Sequence, residues 1–322
     1  MWRNMIWYCL VLILLLLAAL CVYCFMYCFY AANKKEEDIY RPSMGTQYLA
    51  VQDEIIAITK RMEEVPFEPV TVTSFDGLTL FGRYYHQKDG APVKILFHGY
   101  RSTAVRDGAG GFELARKLGL NVLAVDQRAH GRSQGHVISF GINERRDFLS
   151  WIEYINNRFG TETPVILSGI SMGAATVLMA ASLPLPKNVT SILADCPYSS
   201  PAKIIRKVSR DVHIPDKIVY PFISLSARVF GGFKLEETGA GDAVKESPVP
   251  ILLIHGEDDR FVPCEMSRQI HTSSHGRTRL ETFPGAGHGL SYMVDPKRYE
   301  SVVYDFLLNI PALSPWMQDV TV

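Results

Sequence analysis

Hydrophobic positions in this chain fall into three regimes. The first is Met5 to Ala32, MIWYCLVLILLLLAALCVYCFMYCFYAA, which carries no charged residue. As a helix, about 28 residues at ~1.5 Å each reach roughly 42 Å, more than the ~30 Å hydrocarbon core of a bilayer. Trp2, Trp7 and Tyr8 at one end and Tyr27, Phe29 and Tyr30 at the other resemble the aromatic belts of membrane interfaces. A cleaved signal peptide has an apolar stretch of only ~7–15 residues. Tyr30-Ala31-Ala32 is also a poor cleavage site, and Leu20 is large for the residue preceding a lipid-modified Cys21. The pattern predicts an uncleaved, single-pass membrane anchor over residues 1–35.

The second regime alternates short β-branched runs with longer amphipathic ones. Residues Gly45–Met62 predict a lead-in helix, within a 36–66 linker. Val70–Phe75 and Leu78–Tyr85 around Asp76-Gly77 predict a hairpin. Strands are expected at Val93–Phe97, Val122–Val125, Val165–Ser168, Val189–Ala194, Ile251–His255 and Arg279–Phe283. Helices are expected at Thr103–Leu118, Glu144–Phe159, Met172–Leu183, Cys264–Thr272 and Pro296–Asn309. In Glu144–Phe159 the spacing of Phe148, Leu149, Ile152, Ile155 and Phe159 marks one buried face. Apolar strands alternating with helices imply a parallel sheet covered on both sides. The expected fold class is α/β: an eight-stranded, mostly parallel sheet over 67–310.

The third regime, about 199–248, has no clear strand. Apolar residues such as Ile204, Ile205, Val208, Ile218, Phe222, Ile223, Leu225 and Phe230 suggest helices there. The stretch is too long for a bare loop and predicts a helical cap above the sheet. The tail 311–322 is expected to be irregular.

Charge narrows the options. The 322 residues hold 33 basic and 33 acidic side chains, and a net charge of zero argues against a nucleic-acid partner. There is no P-loop and no dinucleotide fingerprint. Arg3 before the apolar run and Lys34, Lys35 and Arg41 after it favour a cytoplasmic domain by count of basic residues. A short N-terminus before a long apolar run has the opposite look, that of a signal-anchor exporting the domain behind it. That topology has a slight preference, and the side stays open. Four cysteines sit in the apolar run. Cys196 and Cys264 form neither a metal site nor a disulfide framework; two buried thiols are expected over a single bridge.

Chemistry enters at Gly169-Ile170-Ser171-Met172-Gly173, between the strand PVILS and a helix of small residues. A serine on a sharp strand-to-helix turn projects its oxygen from the carboxyl edge of a sheet. A plain turn is the alternative. A serine hydroxyl is a poor nucleophile without a base. His288, in PGAGHGL after the last strand, is the candidate, against a solvated turn histidine. Asp259, in HGEDDRFVP, would orient it, with Asp258 and Asp195 as competitors. Backbone N–H groups of Met172 and of Tyr100, in LFHGYRS, would receive an oxyanion. The alternative for His98-Gly99 is an ordinary strand-ending turn. No metal or cofactor is required.

FHGYRS, VDQRAHGRSQG, GISMG, HGEDDRFVP and GAGHG, in that order, resemble the α/β-hydrolase superfamily. They are especially similar to the BEM46-like and serine-aminopeptidase-like (S33-like) hydrolases, from about Val70 to Leu308. The resemblance implies Ser171, Asp259 and His288 as triad and Tyr100 and Met172 as oxyanion hole. It implies a structural loop at Asp126, Arg128 and His130, with Ala129 where many relatives have glycine. The expected function is ester hydrolysis through an acyl-enzyme on a small-molecule acyl substrate. Amide and thioester cleavage and acyl transfer stay open, as does a membrane-tethered binding protein without catalysis. Cap residues Phe222 and Phe230 could line an acyl pocket, rest on the bilayer or pack on the core. Oligomeric state is not legible.

Overall fold

A computed structural model of the chain describes residues 2–31, 39, 40 and 45–320. The apolar run forms α1 (Trp2–Cys28), of which Asn4–Cys28 is long and apolar enough to cross a membrane by length and composition. The helix ends at Cys28, four residues before the charge-free run does; Ala32, Lys34, Lys35 and Arg41 lie outside the described residues. Phe29 and Ala31 instead pair with residues 136–138, through Ala31 N donating to His136 O and Ile138 N to Phe29 O, both at 2.8 Å.

The lead-in helix is two pieces, a 3-10 turn (Thr46–Tyr48) and α2 (Gln52–Glu64). Val51, at φ −122° and ψ 6°, breaks the helical path between them. A hairpin of β1 (Glu68–Thr73) and β2 (Thr79–Tyr85) comes next. Gly77 in its turn takes φ 88°, backbone that side chains disfavour. Then β3 (Val93–Phe97), α3 (Ala104–Lys117), β4 (Asn121–Asp126), α4 (Glu144–Phe159), β5 (Val165–Ile170), α5 (Met172–Ala180) and β6 (Val189–Asp195) alternate. The cap holds α6 (Pro201–Asp211) and α7 (Asp216–Phe230), and the short α8 (Ala240–Ala243) leads back to the sheet. After it come β7 (Ile251–Gly256), α9 (Glu265–Ser273), β8 (Thr278–Phe283), α10 (Ser291–Val294), α11 (Pro296–Leu308) and α12 (Ser314–Gln318).

The eight strands form one sheet in the order β1-β2-β4-β3-β5-β6-β7-β8. Only the β1–β2 and β2–β4 pairings are antiparallel. From β3 the chain crosses through α3 to β4 on one side; from β5 it crosses through α5 to β6 on the other. This reversal leaves a crevice at the carboxyl ends of β3 and β5.

One face of the sheet packs on α2, α3, α11 and α12, the other on α4, α5, α8 and α9. Two expectations change here. On α4 the buried face is Phe148, Trp151, Ile152 and Ile155, while Leu149 is 37% exposed. Trp151 takes the place toward the sheet, its ring against Gly82 of β2. The tail is not irregular: α12 docks on the sheet's first face through buried Leu313 and Met317.

A third apolar cluster joins the end of α1 to the cap. Cys24, Phe25 and Phe29 pack there with Ile204, Tyr220, Ile223 and Ala227, and with Met172 and Ala175 of α5. The Phe29 ring meets Phe233 edge-on at 5.3 Å, and Phe25 lies 5.6 Å from Phe230. Apolar cap side chains such as Ile204 and Ile223 are buried, whereas Ile218, Leu225, Val229 and Phe230 stay exposed.

Candidate active site

Ser171 joins β5 to α5 with φ 55° and ψ −117°, a strained conformation for a side-chain-bearing residue. Its surroundings over-determine it. Ser171 N donates to Asp195 O at 2.9 Å, and Ser171 O accepts from Ala175 N at 3.0 Å. A Cβ on Gly169 would lie 2.3 Å from Gly173 C, and one on Gly173 would lie 2.1 Å from Phe97 O. Both glycines are therefore required for so tight a bend.

His288 reaches this serine from the loop after β8. Its Nε2 lies 2.9 Å from Ser171 Oγ, and its Nδ1 lies 2.6 Å from Asp259 Oδ2. A carboxylate only accepts, so Nδ1 carries the proton and Nε2 is free to accept from the serine hydroxyl. The loop is held by distant residues: Tyr48 OH donates to His288 O at 3.1 Å, and His288 N donates to Gln47 Oε1 at 3.3 Å. The edge of the imidazole meets the Phe261 ring at 5.1 Å.

Asp259 is buried, and its neighbour Asp258 is exposed, which separates the two carboxylates that compete on sequence alone. Phe261 N and Val262 N donate to Oδ1 at 2.9 and 2.8 Å. Buried His255 adds a contact to Oδ2 at 3.2 Å. Because His255 Nε2 also donates to Val262 O at 2.8 Å, this nitrogen bears the proton and its donation is shared. Burial raises the Asp259 carboxyl, but hydrogen bonds from His255 and His288 outweigh it and hold the group down at about 2. A depressed carboxyl stabilises the fold fully above its ordinary value, and this contribution is lost as pH falls through the folded one. Asp259 should thus contribute roughly 2 kcal/mol above pH ~4 that disappears toward pH ~2. Urea unfolding should show the gap between wild type and Asp259→Asn narrowing over that window; a constant gap refutes it.

Asp195, the other competitor, lies under the sheet edge and accepts from Tyr299 OH at 3.0 Å, away from the His288 contacts. Cys196 Sγ sits 4.0 Å from His288 Nε2. With Asp259 and His288 it forms a trio whose ligand atoms lie within 4.8 Å. Burial, then Asp195 and Asp259, push the Cys196 thiol well up. A protonated sulfur is a weak ligand, and the other two groups already bond each other. Cys196 and Cys264 are both buried free thiols.

The end of β3 supplies the opposite wall. Gly99 N donates to Asp107 Oδ2 at 2.8 Å, and a Cβ on Gly99 would lie 3.4 Å from Ser171 Cβ. Tyr100 is next, half-buried, with its ring stacked on Phe140 at 5.0 Å. Met172 is the first residue of α5, where helix N–H groups point outward unpaired by the helix itself. Arg101 takes φ 51°, and its N donates to His130 Nε2 at 3.0 Å. Asp126 accepts from Ala104 N and Arg132 N, and Arg128 bonds Asp76 and Asp147. The Asp126–His130 segment thus braces the loop rather than facing Ser171. Ala129 has φ 64°, the left-handed backbone that suits glycine.

Tyr100 OH donates to Cys28 O at 2.8 Å, and Arg101 Nη2 donates to Tyr27 O at 2.7 Å and Tyr30 O at 3.3 Å. The last carbonyls of α1 are therefore capped by the loop beside the serine. No sequence pattern signals this contact, nor the role of Gln47, because each joins residues at least 70 positions apart. His255 is visible as the first residue of HGEDD, four before Asp259. A cavity of about 380 Å³ opens beside Ser171, His288, Tyr100 and Phe261. The arrangement can pass a proton from the serine hydroxyl to the imidazole while buried Asp259 balances the charge that forms.

A sequence profile of the alpha/beta hydrolase family matches residues 95–302. The chain is similar to the "Uncharacterized protein YqkD" of Bacillus subtilis, 24% identical over 279 residues, covering 86% of this chain and 88% of that one. It is similar to the "Bifunctional esterase/perhydrolase DCH" of Acinetobacter calcoaceticus, 25% identical, covering 68% and 92%. Among solved structures, an esterase of Pyrococcus furiosus superposes with a TM-score of 0.63 at 23% identity, over 78% of this chain and 93% of that one.

Proposed function

The chain belongs to the alpha/beta hydrolase family, and from that premise we propose that it is a membrane-anchored serine hydrolase cleaving carboxylic esters through an acyl-enzyme on Ser171. The observation that carries this is the continuous relay of 2.9 Å from Ser171 Oγ to His288 and 2.6 Å from His288 to Asp259. His288 takes the serine proton as Oγ attacks the acyl carbon. Asp259 stabilises the imidazolium, and the amides of Met172 and Tyr100 receive the oxyanion. The imidazolium then protonates the departing alcohol. Water, deprotonated by the same imidazole, adds to the acyl carbon, and the acid leaves as Ser171 recovers its proton. Similarity to an esterase/perhydrolase supports an ester substrate. Within the family we place the chain nearest the BEM46-like and S33-like branch, on the motifs FHGYRS, GISMG, HGEDDRFVP and GAGHG.

The anchor is supported by two features. Asn4–Cys28 has the length and apolarity of a membrane span, and its final turn is built into the fold. A leader removed after export would take Cys24, Phe25 and Phe29 out of a packed cluster. The preferred topology exports the soluble part.

The test is a matched set of acetyl substrates, a p-nitrophenyl ester, a thioester and a p-nitroanilide, on the full chain in detergent. The ester should exceed the anilide in kcat/KM by about tenfold or more, ~1.4 kcal/mol of transition-state binding. An anilide cleaved as fast as the ester would move the reading to an amidase, and a thioester cleaved far faster would move it to a thioesterase.

A further inference from the structure

The cavity does not end at the serine. It continues under α3 along the first face of the sheet to Lys94 of β3, Ser168 of β5 and Asp195 of β6. Lys94 and Asp195 are only 3% and 9% exposed. Among the described residues the Lys94 ammonium has one hydrogen-bond acceptor, Gly111 O at 3.2 Å, for its three N–H donors. Asp195 Oδ2 accepts from Tyr299, while buried Oδ1 has no partner among the described residues. An unsatisfied buried polar group is destabilising, and more so when charged. Two such groups lining one cavity mark a place built for a polar ligand group.

The roof of the cavity supports this. Gly108, Gly110 and Gly111 lie inside α3, where each glycine destabilises the helix relative to alanine. A Cβ on Gly111 would lie 3.2 Å from Leu96 Cδ2 and 3.7 Å from Lys94 Nζ. All three line the cavity, so its roof carries no side chain at these positions, and only at Gly111 would a Cβ approach the ammonium.

We propose that this inner end recognises a hydroxyl group carried on the acyl part of the substrate, which accepts a hydrogen bond from Lys94. The charge balance selects the chemistry. Burial lowers the Lys94 ammonium to about 8, with Asp195 opposing; burial raises the Asp195 carboxyl to about 6, with the Tyr299 bond opposing. The two groups are of opposite sign when ionised. Their charges cancel, so a third ion would be left without a counter-charge in a poorly solvated space. A hydroxyl accepts and donates without adding charge, and a plain alkyl chain would leave both groups unpaired. Sites built to bond a substrate hydroxyl discriminate strongly against analogues that lack it.

The inference rests on the acyl-enzyme reading, and the test separates the two. The full chain in detergent is assayed with p-nitrophenyl acetate, heptanoate and 6-hydroxyhexanoate, the last two matched in size. The hydroxy ester should exceed heptanoate in kcat/KM by about tenfold or more, and Lys94→Met should bring that ratio to about one or below. A wild-type ratio near one, with acetate hydrolysed, overturns the inference and leaves the hydrolase standing; so does a ratio unchanged in Lys94→Met. Failure to hydrolyse any of the three removes the reading beneath it. The wild-type ratio needs no variant to fold, so the proposal remains exposed if Lys94→Met is insoluble.

Discussion

Ser171→Ala should abolish ester hydrolysis and labelling by a fluorophosphonate probe together. In serine hydrolases that use such a relay, loss of the serine or its histidine lowers kcat by the order of 10⁶. The two act as one unit, because neither nucleophile nor base is useful without the other. His288→Ala should therefore be nearly as damaging, and the double variant Ser171→Ala with His288→Ala no worse than either alone. The 2.9 Å contact between the two side chains is what makes their losses non-additive. Ester turnover and probe labelling are both measurable on the purified full chain. Labelling that survives Ser171→Ala would place the reactive group elsewhere, and losses that multiply in the double variant would dissolve the relay.

The second large effect is expected far from the reaction. Phe29 is 0% exposed in the cluster that joins α1 to the cap. Phe29→Ala should cost about 3–5 kcal/mol, through lost transfer energy and an unfilled cavity. For a chain of this size that lowers the melting temperature by roughly 10 °C. Deleting residues 1–31 should cost more, since it also strips Cys24 and Phe25 from the cluster and leaves Tyr100 and Arg101 without their acceptors on α1. Leu14, 65% exposed on the same helix, is the contrast, and Leu14→Ala should leave the melting temperature in detergent nearly unchanged. Equal melting of Phe29→Ala and wild type would show that the helix merely rests on the domain.

Legibility of the chain tracks the range of the forces involved. All eight strands were legible, the central ones because a strand buried on both faces must be apolar at nearly every position, as in Val165–Leu167 and Ile251–Ile254, and the partly exposed edge strand β1 through its Asp76-Gly77 turn. The glycines around Ser171 and His288 were legible too, since tight turns leave a local mark. Ser171, His288 and Asp259 do converge in space as their motifs suggested. Packing choices were harder. On α4, Leu149 and Trp151 are both apolar, and only the fit of the indole against Gly82 decides which faces inward. The 314–318 helix is too short to show a period. Gln47 and Tyr48 hold the His288 loop across some 240 residues of sequence, and no local pattern encodes a contact of that reach.

The capped end of α1 has a mechanical consequence. Tyr100 and Arg101 grip the final carbonyls of that helix while the same loop forms a wall of the crevice at Ser171. With no slack between α1 and the loop beside Ser171, the helix is a strut instead of a leash. Tilt or vertical displacement of α1 would be transmitted to that loop. In the proposed membrane-anchored hydrolase, lipid thickness thereby becomes a variable that turnover should register, even toward a freely diffusing ester.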